Sequence, residues 1–436
     1  MTVRIPFHPN CSDQSMLNST RPFIHRPHTL WAAMALVLLG AGAVAIAADR
    51  LPFVKRPKLP PAKVTPAPAP GTPQPGAPLA GLTAAQLADF DEGREEFQAV
   101  EVPEGGLGPI FNHNSCAACH TAGGVGGAST QTVTRFGRFA NGRFDALAQL
   151  GGSLQQAKAI DPAALEHVPR EANVTTRRVT TPLFGAGLIE AIADDTLEQN
   201  ARKPQPDGVH GRVSHVLDVA SGKQRVGRFG WKAQHASLLA FAGDAYVNEM
   251  GVTSRLFPQE NAPNGRLDLL ARFDKVPDPE DAVDPDSGKG DIDHAADFMR
   301  LLAPAPTKPA TADSLAGQRL FENARCVACH TPALMTGNSL VAALAHQTVP
   351  LYSDLLLHDM GALGDGIDQE VAKGRDMRTA PLWGLRLRPA FLHDGRATTV
   401  EAAIEAHDGE ATPSRQRFQA MKPTERQQLV AFLRTL

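Results

Sequence analysis

The sequence predicts a mainly α-helical protein, and three observations support this fold class. A helical pattern of apolar residues precedes each of two similar five-residue runs. The C-terminal segment begins with a helix-capping pattern and continues with apolar residues on one stripe. Strand patterns are few and short. We therefore expect a mainly α fold with two domains, each built around one of the five-residue runs.

The N-terminal 48 residues carry the pattern of an export signal. Met1 to Thr29 contains three basic residues and one acidic residue, and the nineteen residues from Leu30 to Ala48 are apolar and uncharged. Small residues end this run, so we expect cleavage near residue 47 or 48 and a periplasmic protein. The alternative is an uncleaved signal anchor that tethers the protein to the inner membrane, because the run approaches the length of a membrane span.

Residues 49–79 are rich in proline and alanine. This composition predicts an extended linker without a hydrophobic core of its own. The roughly 355 residues that follow suffice for two domains of ordinary size. Three prolines shortly before residue 310 favour a boundary there, which gives an N-terminal domain of residues 80–310 and a C-terminal domain of residues 311–436.

Two five-residue runs share one spacing of cysteine and histidine, CAACH from Cys116 and CVACH from Cys326. In this spacing two thiols can each add to a haem vinyl group, and the next imidazole reaches the iron. A zinc site or a redox-active cysteine pair does not require a histidine after the second cysteine, twice in one chain. The fifth cysteine, Cys11, lies in the signal segment. The sequence therefore predicts two covalently bound haem c groups, held by a first haem motif (Cys116, Cys119 and His120) and a second haem motif (Cys326, Cys329 and His330).

The charge balance gives no indication of a nucleic acid partner. From Leu30 onward 40 basic residues face 45 acidic ones, and aromatic residues make up 6% of the chain. A mildly acidic exported body suits a basic electron-donor protein, such as a small cytochrome or a copper protein. With so few aromatic residues, much of the core must consist of aliphatic side chains and haem.

Helical patterns flank the second haem motif and precede the first. Thr424 and Gln427 form a capping-box pattern, after which Leu429, Phe432 and Leu436 share one stripe. We expect this C-terminal helix to pack across the helix before the second motif. The helices before the two motifs resemble the N-terminal helix of class I cytochrome c, and their apolar positions include Leu87, Phe90 and Phe97 in one and Leu315, Leu320 and Phe321 in the other.

Four segments carry a more specific resemblance: LGPIFN from Leu107, GWKA from Gly230, YSDLLLHDMG from Tyr352 and RTAPLWG from Arg378. They resemble the bacterial di-haem oxidoreductases, often labelled thiol oxidoreductases. That family is similar to the di-haem cytochrome c peroxidases and to the haem enzyme that matures methylamine dehydrogenase. The resemblance runs from about residue 85 to the C-terminus. It implies two cytochrome c-like haem domains, the first enlarged by insertions, in a peroxidase-like enzyme whose C-terminal haem passes electrons to a catalytic N-terminal haem.

The resemblance also indicates a sixth ligand for the second haem. In the peroxidases this ligand stands fourteen residues after a histidine-containing turn, and here His407 stands fourteen residues after His393. Residues 398–401 can cap a helix that puts His407 on its apolar stripe. Alternatively, His407 is a buried histidine that is bonded to a backbone carbonyl. Met360 and Met377 are the rival candidates for the iron ligand. Imidazole in place of the peroxidases' common methionine favours ferric iron and lowers the potential.

A tryptophan and a glutamate are candidates for the catalytic residues. In the peroxidases a tryptophan near both haems precedes, by some twenty residues, a Glu-Met pair that serves the distal pocket. Here Trp231 precedes Glu249-Met250 by eighteen. A positioned carboxylate can move a proton between the two oxygens of a peroxide. We expect Glu249 to be this acid–base group and Trp231 to be an electron bridge. The alternatives are a helix-capping glutamate and a core tryptophan.

The first haem is expected to be open on one side. The peroxidases have a displaceable histidine after the first motif, but here the only histidine between Thr121 and Arg178 is His167, in a loop pattern. A five-coordinate iron would activate hydrogen peroxide or another small oxidant. Two alternatives remain: an enzyme that oxidises a protein or an organic substrate, and an electron-transfer cytochrome without catalytic chemistry. An open iron favours either enzyme over the carrier.

Other polar residues are expected to be structural. The acidic run from Asp278 to Asp293 offers the oxygens that calcium prefers, but it lacks the spacing of a known loop and favours a solvated linker. Five histidines are expected to lie at the surface or in ordinary hydrogen bonds: His113, His210, His215, His235 and His358.

Overall fold

The computed structural model describes residues 55–61, 67–69, 71 and 74–436, which contain helices and short strands. The predicted signal, residues 1–48, lies outside this part. No helix within it is both long and apolar enough to cross a membrane. Its helices are α1 (Ala84–Gln98), α2 (Ala186–Glu190), α3 (Asp194–Arg202), α4 (Leu238–Ala245), α5 (Leu267–Phe273), α6 (Asp291–Leu301), α7 (Ala312–Asn323), α8 (Val400–Glu405), α9 (Thr412–Ala420) and α10 (Pro423–Leu433).

The strands are mostly two or three residues long and all pair antiparallel. They are β1 (Lys58–Leu59), β2 (Val100–Glu101), β3 (Ile110–Phe111), β4 (Thr132–Ala140), β5 (Arg143–Asp145), β6 (Leu154–Gln155), β7 (Lys158–Ala159), β8 (Val174–Val179), β9 (Ser214–Asp218), β10 (Lys223–Gly227), β11 (Leu334–Met335), β12 (Thr348–Val349), β13 (Leu357–Asp359) and β14 (Asp376–Arg378). The pairs are β1–β2, β3–β7, β9–β10, β11–β12 and β13–β14, and β4 pairs with β5, β6 and β8 in a four-stranded sheet. Helical residues outnumber strand residues, but the four-stranded sheet is larger than the few short strands that the sequence predicts. The mainly α description therefore applies only in part.

The helix before the first haem motif forms because its first turn is capped. The Thr83 hydroxyl accepts from the Gln86 backbone N–H, and the Gln86 side chain accepts from the Thr83 N–H. α1 then packs on α6 through aromatic rings, with Phe97 and Phe298 centroids 4.8 Å apart. Gly93 permits the close approach, since a Cβ there would lie 2.2 Å from the His294 carbonyl oxygen.

The C-terminal helix packs across the helix before the second haem motif, as the sequence predicts. The rings of Phe321 in α7 and Phe432 in α10 lie 5.4 Å apart. Gly317 brings the two backbones together, because a Cβ there would lie 1.9 Å from the Gln428 carbonyl oxygen. Phe321, Phe432 and their neighbours form a core of their own in the C-terminal part.

A larger core joins the N-terminal helices to part of the C-terminal half. It includes Phe90 of α1, Leu238 of α4 and Ile292 of α6, together with Leu351 and Trp383. All described residues belong to one compact unit, Phe53–Leu436. The division near residue 310 therefore stays a prediction.

Part of the predicted linker packs on the body of the protein. β1 pairs with β2, and Ala77 and Leu79 are buried. The Lys58 ammonium lies 2.9 Å from a Glu101 carboxylate oxygen and 2.7 Å from one of Asp291. The expectation of a linker without a core is wrong at these positions, because a basic residue among the prolines meets buried carboxylates that are remote in sequence.

Candidate functional site

The second haem motif begins in a single helical turn, Cys326–Ala328. The backbone N–H of His330 donates to the Cys326 carbonyl at 2.9 Å, and Cys326, Cys329 and His330 all line one large cavity. Burial raises the pKa of Cys326 to about 12 and lowers the pKa of His330 to about 4. Both groups are therefore neutral near pH 7, and the imidazole keeps a free lone pair.

The cavity lined by Cys326, Cys329 and His330, here called the large cavity, is mainly apolar. It contains about 1360 Å³ of empty space, counting its opening to solvent. Such a space lets a flat hydrophobic cofactor lie between the motif and the opposite wall. That wall and its sides include Phe321, Leu385, Val400, Ile404, Leu429 and Leu433.

His407 lies across the large cavity from His330. Their ring centroids are 6.5 Å apart. The Nδ1–H of His330 donates to the Tyr352 carbonyl at 2.9 Å, and that of His407 donates to the Ala403 carbonyl at 2.7 Å. Each ring therefore keeps Nε2 for a ligand. With metal–nitrogen distances of about 2 Å, an ion shared by two imidazoles puts their centroids roughly 6.3 Å apart, so the pair fits a bis-histidine iron.

The helix that carries His407 is shorter than expected. The Thr399 hydroxyl accepts from the Ala402 N–H and caps α8, but α8 ends at Glu405, so His407 lies in the turn that follows. Burial lowers the pKa of His407, which favours the neutral, ligating form. Met360 and Met377, the rival ligands, also line the large cavity, and the choice of His407 stays a prediction that the ring geometry supports.

The first haem motif lies against α1 and beside Glu249. The Nδ1–H of His120 donates to the Gly127 carbonyl at 3.1 Å, and the Phe97 ring lies 5.7 Å from the imidazole. Burial lowers the pKa of His120 to about 4. The pKa of Cys119 rises to about 11, first through burial and then through the nearby charge of Glu249. The predicted acid–base group and the first motif are therefore neighbours.

Glu249 is held in a π-helical turn, Tyr246–Met250, directly after α4. Such turns are rare and often occur at functional sites. The Asn112 side-chain N–H donates to Glu249 Oε2 at 2.9 Å, and the Asn112 backbone N–H donates to the Glu249 carbonyl at 2.8 Å. Burial raises the pKa of Glu249, and the charge of Arg135 partly opposes this rise. The carboxyl group is thus fixed at Oε2 and more ready to hold a proton than one in water.

Trp231 lies between two cavities. It lines both the large cavity and a small cavity with about 520 Å³ of empty space, counting its opening to solvent. The small cavity is also lined by Thr181, a backbone contact of the His120 ring. The indole N–H donates to the Val179 carbonyl at 2.9 Å. The Arg378 backbone N–H donates to the Trp231 carbonyl at 2.9 Å. Trp231 is therefore rigidly held where the surroundings of the two motifs meet.

A buried arginine, Arg378, and a half-buried one, Arg388, also line both cavities, and the sequence analysis missed them. Burial lowers the pKa of Arg388 to about 10, and burial with the like charge of Arg388 lowers that of Arg378 to about 10. Neither guanidinium belongs to an ion pair of the described residues, and Arg388 Nε is buried without a partner there. Carboxylates of a bound cofactor, such as haem propionates, fit these groups. Arg378 opens the RTAPLWG segment, but no spacing in the sequence marks either arginine as a binding residue.

The remaining candidates have ordinary structural surroundings. His235 Nε2 lies 3.1 Å from an Asp244 carboxylate oxygen, and His358 lies between two carboxylates and makes hydrogen bonds to both. The solvated linker expected at the acidic run is wrong in part, because Asp281 is 1% exposed and Asp291 begins α6. Near the start of that run the carboxylates of Glu260, Asp278 and Glu280 approach within 4.8 Å of one another.

Comparison with known proteins decides the family. The model of the family described as "Di-haem oxidoreductase, putative peroxidase" matches residues 166–436. This chain belongs to the di-haem oxidoreductases. It is therefore an oxidoreductase of a family that uses haem cofactors, and the resemblance to this family is confirmed over the matched residues, which contain three of the four sequence segments. No curated protein matches the chain.

Solved structures similar to this di-haem oxidoreductase share little sequence with it. Hydrazine synthase of Kuenenia stuttgartiensis has 15% identity over 93% of this chain and 100% of its own, with a TM-score of 0.39. A MauG-like protein associated with microbial copper homeostasis has 15% identity over 80% of this chain and 89% of its own, with a TM-score of 0.37. The di-haem peroxidase BthA of Burkholderia thailandensis has 15% identity over 66% of this chain and 91% of its own, with a TM-score of 0.29.

Proposed function

We propose that this protein is an exported di-haem c-type peroxidase that works in the periplasm. It reduces hydrogen peroxide or a similar small oxidant at the first haem, with electrons that enter through the second haem. The first haem belongs to residues 80–310 and the second to residues 311–436. A basic small cytochrome or copper protein is the electron donor, and the N-terminal apolar segment is either a cleaved signal or a tether.

The contrast between the two sites carries this proposal. His407 lies opposite His330 with ring centroids 6.5 Å apart, which suits a six-coordinate electron-transfer haem. Beside the first motif lies Glu249, a partly buried carboxyl group held by Asn112. A group that moves protons is useful where an oxidant reacts and serves no purpose at a pure relay.

Residues of the chain support covalent haem at both motifs. Burial raises the pKa of the Cys116 and Cys326 thiols, so each is a neutral group in an apolar setting. Conversion to thioethers keeps these side chains uncharged. The imidazoles of His120, His330 and His407 would hold iron, and Arg378 and Arg388 would bind the haem carboxylates. When bound, the haems supply the iron that binds the oxidant and stores electrons.

Glu249 is the proton-transfer residue in this mechanism. Its Oε2 accepts from Asn112, so Oε1 takes the proton from the near oxygen of hydrogen peroxide and returns it to the departing oxygen. Two electrons and two protons convert the peroxide to two water molecules. Trp231, fixed through its indole N–H and its carbonyl, is the bridge along which electrons pass between the cavities.

Spectroscopy of the purified holoprotein with peroxide kinetics tests the proposal. We expect two haems per chain in a pyridine haemochrome assay. One haem should be high-spin and the other low-spin, and hydrogen peroxide should rapidly oxidise the reduced protein. Acid-extractable haem would exclude covalent attachment. Two six-coordinate haems that do not react with peroxide would make the protein an electron-transfer cytochrome. Fractionation of cells that express the full chain tests the periplasmic location.

A further inference from the structure

His358, in the YSDLLLHDMG segment, has no part in the function proposed above, yet it lies at the second haem motif. It is 1% exposed and belongs to β13. Its Nε2 lies 2.9 Å from Asp354 Oδ2 and its Nδ1 lies 2.8 Å from Glu410 Oε2. Because carboxylate oxygens only accept, both ring nitrogens carry a proton and the imidazole is a cation. Burial opposes this charge, but the two carboxylates outweigh it and raise the pKa of His358.

Asp354, at one end of the Asp354–His358–Glu410 group, is fixed to the haem-attachment turn. The Asp354 backbone N–H donates to the Cys329 carbonyl at 2.9 Å. The Cys329 sulfur lies 3.6 Å from His358 Nδ1. Asp354 is itself 3% exposed, so the pair with His358 is out of water. Charged hydrogen bonds in such surroundings hold their geometry tightly.

The other end is fixed to the turn that carries His407. Glu410 follows His407 by three residues, and it also accepts the backbone N–H groups of His210 at 2.8 Å and Asp359 at 3.1 Å. Gly409 lets this turn touch β13, because a Cβ there would lie 2.2 Å from the Asp359 carbonyl oxygen. The turn after His407 is thus held against β13 by Glu410 and by close backbone contact.

We propose that Asp354, His358 and Glu410 form a clamp that positions His407 opposite His330. The clamp connects the turn that attaches the second haem to the turn that supplies its sixth ligand, and it thereby fixes the width of the large cavity between the two imidazoles. The residues of the clamp act through His407 and are positioning residues. The inference rests on the proposed ligation of iron by His407.

Ligand exchange at the second haem of the holoprotein measures the strength of this clamp, with cyanide as the probe. Cyanide must displace His407, and the bis-histidine EPR signal follows the second haem alone. In Glu410→Ala the affinity for cyanide at this haem should rise about tenfold or more, the scale of one lost charged hydrogen bond. Glu410→Gln keeps an acceptor for His358 and should lie close to the wild type. Glu322→Ala removes an exposed glutamate of α7 and should change nothing.

Gly409→Ala tests the same clamp without a change of buried charge. Its Cβ would push the turn away from β13, so cyanide affinity should again rise. Full haem content with unchanged cyanide affinity in Glu410→Ala and in Gly409→Ala would overturn the clamp. A wild type without a bis-histidine signal would instead overturn the ligation by His407, so the two failures are distinguishable.

Discussion

The rings of His330 and His407 face each other with centroids 6.5 Å apart, and each donates its Nδ1–H to a backbone carbonyl. The two carbonyls belong to Tyr352 and Ala403, in segments on opposite sides of the cavity. Each ring is thus oriented by its own segment of backbone, and the two Nε2 atoms are available to one ion. This pair distinguishes the second site from the first and underlies the first prediction.

Replacement of His407→Met should convert the second haem to histidine–methionine ligation. Thioether favours ferrous iron more than imidazole does, so the potential should rise by on the order of 0.1 V, within the roughly 0.8 V range set by axial ligands. EPR and near-infrared spectra should lose the bis-histidine signature, and potentiometry gives the shift. Met360→Leu is the control and should leave both unchanged. An unaltered spectrum in His407→Met would return Met360 or Met377 to the ligand position.

Replacement of Glu249→Gln should slow the reaction with peroxide by roughly a hundredfold, because the amide cannot carry the proton. Stopped-flow mixing of the reduced protein with hydrogen peroxide measures the rate. The matched control is Glu166→Gln, which changes a buried glutamate that accepts the backbone N–H groups of Gln156 and Asn264, each at 2.8 Å. That control should lower stability and leave the peroxide rate near the wild type. Equal rates for Glu249→Gln and wild type, at full haem content, would exclude the acid–base role.

Replacement of Trp231→Phe should slow electron transfer between the two haems by about tenfold or more and leave the haem content intact. The indole lines both cavities and is fixed by its hydrogen bond to Val179, which phenylalanine cannot form. Flash photolysis of the half-reduced protein measures the transfer rate. Trp383→Phe is the control, since Trp383 lines only the small cavity. A slow rate in both variants would indicate a general packing effect and no bridge at Trp231.

Replacement of Glu260→Gln should stabilise the protein, and more so at higher pH. Burial, with the charges of Glu280, Asp274 and Asp278, raises the pKa of Glu260 to about 9. A raised carboxyl pKa means that the folded state holds the proton more tightly than the unfolded state. The contribution of Glu260 to the free energy of unfolding is therefore full below the unfolded pKa near 4.5 and is lost as the pH rises towards 9. Each pH unit between the two pKa values corresponds to about 1.4 kcal/mol, so urea titrations should show a gain in the free energy of unfolding that is larger by up to about 4 kcal/mol at pH 8 than at pH 5.

The control for this pH effect is Glu104→Gln, which changes an exposed glutamate. Its free energy of unfolding should follow the wild type at both pH values. If Glu260→Gln gained the same free energy of unfolding at pH 5 and at pH 8, the raised pKa of Glu260 would be contradicted.

The haem-attachment residues could be predicted from the sequence because covalent chemistry fixes their spacing within five residues. His407 could be predicted because its offset from His393 is local and a threonine cap precedes it. Its opposition to His330 could not, since the two residues meet only through the packing of α8 and α10 around the cavity. The sequence supplied the candidate ligand, and tertiary structure supplied the distance.

The four-stranded sheet and the docked linker were missed for a related reason. Arg135 and Arg138 interrupt the apolar alternation of β4, so the strand does not have the usual pattern of a half-buried strand. Lys58 meets Asp291, a residue 233 positions away, and no local pattern indicates such a contact. Arg378 and Arg388 were missed because only the folded structure shows that both line the two cavities.

The unpaired guanidinium groups of Arg378 and Arg388 have a consequence for how the protein matures. Burial lowers the pKa of both groups, and a carboxylate bound beside them would stabilise the fold. A haem whose carboxylates bind these arginines would favour the native state by mass action, and the chain without haem would be less stable. We therefore expect a protease to cut chains that lack haem faster than chains that carry it.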